Sequence, residues 1–142
     1  MILFEPELHI GGGIVVPDIA GWREERLPVI PESAFFTVVP DWVCEVISKS
    51  TERIDRAEKM PWYAAIGVNH AWLVHPRQKT LEAYRLANRM WLYVAAHKDD
   101  ERARIEPFEA IELDLATLWR RLPYPTTASE PSSEWEYERA LP

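Results

Sequence analysis

The chain has 142 residues, 47% hydrophobic and 27% charged, which is room for one compact domain with a core and no need for a second. Its single cysteine, Cys44, excludes an internal disulfide framework and a cysteine-based zinc site, and no apolar run approaches the roughly 20 residues of a membrane-spanning helix. A net charge of −7 argues against capture of nucleic acid by the surface as a whole, and an N-terminus carrying Glu5 and Glu7 with no basic flank does not read as a signal peptide, so the expected location is cytoplasmic.

The charge is unevenly spread. Lys49 to Arg89 holds eight basic and four acidic residues, a net +4, whereas Pro123 to Pro142 holds four glutamates and one arginine, a net −3. A phosphate-facing surface in the middle of the chain is compatible with this, as is a solvated face of mixed charge.

In chain order, Gly11-Gly12-Gly13 forms a turn leading into a strand; no helix follows it, so it makes a poor phosphate loop. Ile14 to Ala20 reads as a strand that is irregular or at an edge at Pro17, which has no N–H to donate. Arg23 to Glu32, charged and carrying Pro28 and Pro31, reads as a loop. Asp41 to Ile47 is the next strand, with Trp42, Cys44 and Val46 on one face and Val43, Glu45 and Ile47 on the other. Both faces are mostly apolar, as in a central strand. Glu45 is the odd residue, because a carboxylate buried without a partner is costly.

Ser48 to Thr51 offers capping hydroxyls, and Asp55 with Glu58 has the spacing of a capping box. A helix is expected from Thr51 or Asp55 to Ile66, kinked near Pro61 and stopped by Gly67. Asp55, Lys59 and Tyr63 then share one face. Three strands follow as a meander: Ala71–Val74, Thr80–Leu86 and Met90–Ala95. A short segment near Ala103–Ile105 and an amphipathic stretch from Asp114 to Arg121 complete a domain spanning residues 1–122. Residues 123–142 read as a tail, with room for a short helix at Glu134–Ala140.

Asp18, Glu45 and Lys59 are the constellation with chemical content. Hydrolysis of a phosphodiester near neutral pH benefits from a hard cation held by one or two carboxylates, which activates water and polarises the phosphoryl group. A nearby ammonium orients that water and offsets the charge of the transition state. Each residue also has a plainer reading: an Asp after Pro can end a strand, a strand Glu can pair with Arg or face water, and a helix Lys is usually solvated. His9, His70, His75 and His97 show no metal-binding spacing, and the seven tryptophans read as core or dimer contacts rather than base-stacking platforms.

The segments VVPDIAGW, PDWVCEVIS, STERIDRAEKMPWYAAIGVNHAWLVHP and EPFEAIELDLATLW resemble the bacterial Uma-type restriction endonuclease family of the PD-(D/E)XK superfamily. The resemblance covers most of residues 5–122 and is most specific from Pro40 to Pro76. It implies an α/β (α+β) fold with a restriction-endonuclease-like core: a central mixed β-sheet flanked by helices, and a β-meander in the second half. It implies a metal-dependent endonuclease acting on nucleic acid, with DNA the expected substrate. Asp18 and Glu45 would be the ligands of Mg²⁺ or Mn²⁺, with Lys59 beside them.

The superfamily lysine normally lies two residues after the second acid, where this chain has Ile47; Lys59 stands at the place to which that lysine has migrated onto the helix. Tyr63 reads as a support for Lys59, a phosphate contact or a packing residue, and Ser48 and Lys49 as supporting groups. Lys49 stands where relatives carry proline, and His75 where they carry aspartate, a change read as packing, with a metal-ligand role left open. The chain begins about where relatives have an additional helix and strand. These departures and the acidic balance motivate the alternative, a catalytically inactive binding or dimerisation module of the same fold, with the homodimer as one form.

Overall fold

The structure, a computed structural model, describes residues 1–120. Its centre is a six-stranded sheet in the order β1-β4-β5-β6-β7-β8. The strands are β1 (Ile2–Phe4), β4 (Ile19–Gly21), β5 (Trp42–Val46), β6 (His70–His75), β7 (Thr80–Ala87) and β8 (Met90–Lys98). Only β5 and β6 run parallel; the other neighbours are antiparallel. A parallel pair needs a crossover of a dozen or more residues. Residues 47–69 supply it as helix α1 (Glu52–Ile54), a π turn (Asp55–Lys59) and helix α2 (Met60–Ile66). The sheet is therefore mixed, helices are few, and the second half is the expected meander.

The run from Ile14 to Ala20 is not one strand. It divides at Pro17 into β3 (Gly13–Val15), which pairs with β2 (Leu8–Ile10) in a hairpin of its own, and β4, which joins the main sheet. Gly11 and Gly12 make the two-residue hairpin loop, with φ of 64° and 77°. Two successive positive φ values suit the twist of a tight hairpin, and glycine reaches them without penalty.

The alternation read in β5 divides the core. Val43 and Ile47 face the crossover helix with Leu8, Ala20, Met60, Tyr63, Val68, Ala71 and Leu73. Trp42 and Cys44 face the other way, with Trp72, Val74, Leu81, Ala83, Ile105 and Leu115. Cys44 is a buried core residue on the face opposite Glu45, and burial pushes its thiol pKa up. A small β9 (Arg102–Ala103) and β10 (Leu113–Asp114) ribbon and helix α3 (Ala116–Trp119) contribute to this second core. The described part of the amphipathic stretch expected at residues 114–121, residues 114–120, is thus the end of a short strand and one helical turn. The proposed tail, 123–142, and its Glu134–Ala140 helix lie outside the described residues. Of the six described tryptophans, Trp22, Trp42 and Trp72 are buried and Trp62, Trp91 and Trp119 half-buried. They pack in the fold. Among the described residues no helix is long and apolar enough to cross a membrane.

Gly67 ends α2 with φ 87° and donates its N–H to the carbonyls of Tyr63 and Ala64. A Cβ there would meet nothing within 4 Å, so Gly67→Ala tests conformational cost alone. Denaturant unfolding should show a loss of about 1 kcal/mol.

Candidate active site

The site is built around a buried charge. Glu45 lies on central strand β5, is 0% exposed, and projects to the helix side between Val43 and Ile47. Lys59 Nζ stands 3.2 Å from both of its oxygens, and Tyr63 donates its hydroxyl to Oε1 in a short hydrogen bond. Burial pushes the Glu45 carboxyl up to about 7, against the pull of Tyr63 and Lys59 and with a further push from Asp18 and Asp55. Tyr63 is itself fully buried and its own pKa is driven up, first by burial and then by the Glu45 charge. It therefore acts as a neutral donor.

Asp18 follows from the sheet register. Ile19 is opposite Cys44 and Ala20 opposite Val43, so one further step sets Asp18 against Glu45. Ala20 and Val43 both belong to the helix-side core, and residues two apart on a strand share a face. Directly opposed residues bring their Cβ atoms to about 5 Å. Pro17, which cannot donate to a ladder, breaks the strand at this point. The Val46 N–H, beyond the last β4 partner, is instead taken by Asp18 Oδ2 at 2.6 Å. One carboxylate oxygen holds the end of β5, and Oδ1 makes no hydrogen bond among the described residues.

The helix brings the cation. Met60 N–H bonds to Asp55 O, an i→i+5 link that makes a wide π turn just before Pro61. The wide turn falls where Pro61, which has no N–H, interrupts the helical ladder, and such turns recur at functional sites. Lys59, at the end of this turn, reaches the sheet and also donates to the Val16 carbonyl at 2.8 Å. Tyr63, one turn on, supports Glu45 rather than Lys59.

The sequence reading gave Asp55 a capping role, and the structure does not. No side chain caps α1 at Thr51 or the π turn at Ile54. Asp55 is 3% exposed, faces the site, and lies 3.8 Å from Lys59 Nζ through Oδ1. Its carboxyl pKa is raised, chiefly by burial. The signal for it in the sequence is its i, i+4 spacing to Lys59. The other expected groups stay apart from the cluster. Ser48 bonds Ser50 and Thr51 within its turn, and Lys49 is exposed. His75, buried at the end of β6, accepts the Gln78 N–H and closes the turn into β7.

Two carboxylates, Glu45 and Asp55, thus face one ammonium, with Asp18 opposite Glu45 across the β4–β5 ladder. Among the described residues, no group of three or more His, Cys, Asp or Glu side chains is set around one point to hold a metal. A Mg²⁺ site needs only one or two carboxylates with water completing the shell. The buried Asp55 Oδ2 has no partner, and Asp18, Glu45 and Asp55 outnumber the single ammonium of Lys59, which leaves an excess of negative charge if all three are ionised. The oxygen donors and that excess fit a hard divalent ion. A cavity of about 430 Å³, lined by Gly21, Trp42, His70 and Phe108 among others, opens at the opposite end of β4 and β5 and contains none of these carboxylates.

Tyr63→Phe removes one donor and nothing else. The Glu45 carboxyl should rise further, and since Lys59 still donates to the same oxygen, the loss of one hydrogen bond to a charged group should cost about 1.5–3 kcal/mol in denaturant unfolding at pH 8.

A buried strand glutamate held by a helix lysine, with an aspartate opposite it after Pro17, is the arrangement the sequence resemblance implied, and residues 3–117 match the Uma2 family, described as "Putative restriction endonuclease". The chain belongs to the Uma2 family. Its fold is similar to that of a putative nuclease of DUF820 from Anabaena variabilis, with a TM-score of 0.67 and 20% sequence identity. That likeness covers 83% of this chain and 66% of the relative, so the Uma2 chain spans just under two thirds of the relative's length. No curated protein matches the sequence. The fold is thus restriction-endonuclease-like.

Proposed function

We propose that this Uma2 protein is a metal-dependent nuclease that hydrolyses phosphodiester bonds in DNA, with Asp18 and Glu45 as ligands of Mg²⁺ or Mn²⁺. The observation that carries the reading is the burial of Glu45 at 0% exposure on a core strand, beside one ammonium and two further carboxylates. A hydrophobic side chain of similar volume would stabilise such a position better than an ion pair does. A costly charge cluster at a strand end is the usual mark of a functional site.

When bound, the ion would polarise the phosphoryl oxygen and make water a better nucleophile near neutral pH. The remaining work falls to the chain's own groups. Tyr63 fixes the Glu45 rotamer, and the backbone N–H of Val46 fixes Asp18. Lys59, 22% exposed in its side chain, orients the attacking water and offsets charge on the phosphate. The exposed Lys49 and Arg53 follow β5 at its Glu45 end and suit backbone phosphates of a polymer. The family description as a restriction endonuclease favours DNA.

Incubation of plasmid and single-stranded DNA with the purified chain tests this. Cleavage with Mg²⁺ or Mn²⁺ that stops on chelation is expected. Persistent inactivity with both ions, or cleavage that survives chelation, overturns the proposal.

A further inference from the structure

Asp55 is not explained by the reading so far. It is 97% buried, yet its Oδ2 has no hydrogen-bond partner. Arg56, the adjacent cation, is occupied by Glu52 and bidentately by Glu82. The remaining partners of Asp55 are the Thr51 side chain, whose hydrogen bond pulls the Asp55 pKa down, and the one further cation, Lys59, 3.8 Å from Oδ1 and one helical turn along. The same Nζ covers both Glu45 oxygens at 3.2 Å and is tethered to the Val16 carbonyl at 2.8 Å. One ammonium therefore stands between two carboxylates, close to the first and loosely placed against the second. As it lies, it covers the oxygens that a metal would use.

Resting on the reading of Glu45 as a metal ligand, we propose that Asp55 is a positioning residue: it receives Lys59 when Glu45 takes a divalent ion. A divalent ion on a Glu45 oxygen repels the ammonium that now spans both oxygens, and so favours its displacement from that carboxylate. Lys59 and Asp55 share a helix face, and a flexible four-carbon stem covers the short distance by rotamer change alone. The unpartnered Oδ2 provides the acceptor. Lys59 then stays beside the reacting phosphate instead of swinging into water, and both carboxylates end paired with a cation. Asp55 acts through Lys59 and does not itself bind the ion.

Calorimetric titration of the intact chain with Mn²⁺ distinguishes these roles, using wild type, Asp55→Asn, Lys59→Met and the double variant. Asparagine is isosteric and removes a buried charge, so the fold should persist, as circular dichroism will show. Asp55→Asn should weaken Mn²⁺ binding about tenfold when Lys59 is present, because the displaced ammonium has no carboxylate to go to. With Lys59→Met the same substitution should change affinity less than about threefold, since the two effects are coupled. Equal weakening in both backgrounds would make Asp55 a direct ligand and overturn the proposal, as would no weakening in either. A wild-type chain that takes up no Mn²⁺ overturns the metal reading itself. Failure here with normal wild-type binding leaves that reading standing.

Discussion

Glu45→Gln should abolish Mn²⁺-dependent DNA cleavage, by on the order of 10³-fold, and make the metal-free protein more stable above pH 7. The two effects share one cause. Glutamine keeps the shape and can still accept the Tyr63 hydroxyl, but it cannot carry the charge that a cation needs. In the folded protein the Glu45 carboxyl titrates at about 7 against an ordinary 4.5, with burial the largest cause. The folded state therefore holds a proton more tightly than the unfolded one, and wild-type stability falls as pH rises from about 4.5 to about 7. The full shift corresponds to up to about 3 kcal/mol above that window and nothing below it. Lys59 loses one partner in the variant but keeps the Val16 carbonyl and Asp55. Paired denaturation curves at pH 4 and pH 8 test the stability half: the variant should gain only at pH 8. A variant less stable than wild type at pH 8 would mean that the ion pair outweighs the burial cost.

Lys59→Met should separate binding from chemistry. The ammonium competes with a metal for the Glu45 oxygens, so Mn²⁺ affinity should be kept or improved. Cleavage should nevertheless fall by about 10²–10³-fold, because the group that orients water and offsets phosphate charge is gone. Titration calorimetry and a single-turnover cleavage assay on the same preparation measure the two quantities. Loss of Mn²⁺ binding together with cleavage would instead make Lys59 a structural prop for Glu45. Unchanged cleavage would remove it from the mechanism.

The sequence made some of this legible for clear physical reasons. β5 was readable because alternation holds across Trp42–Val46 and only Glu45 breaks it. The meander was readable because apolar runs alternate with turn residues from His75 to Lys79 and from Ala87 to Arg89. Gly67 marked the helix end because only its left-handed conformation closes that turn cheaply. What stayed hidden depends on tertiary pairing. The division of Ile14–Ala20 into two strands in separate sheets cannot be read from a β-branched run, although Pro17 marked the place. The short strands Ile2–Phe4 and Leu8–Ile10 carry too few residues to show a period. The π turn has no periodic signature either, and this is why the sequence suggests a cap at Asp55 and not a second carboxylate facing Lys59. Asp18, Glu45 and Lys59 were nameable through resemblance to a family; spacing along the chain did not bring them together. The β4–β5 register and the reach of Lys59 across to Val16 did.

Crystals soaked in Mn²⁺ and measured for anomalous diffraction bear most directly on the central claim. The expected result is one peak per chain, about 2.1 Å from an oxygen of Asp18 and from an oxygen of Glu45, with Lys59 withdrawn from the latter. No peak at this position under saturating Mn²⁺, or a peak that touches neither side chain, would contradict it.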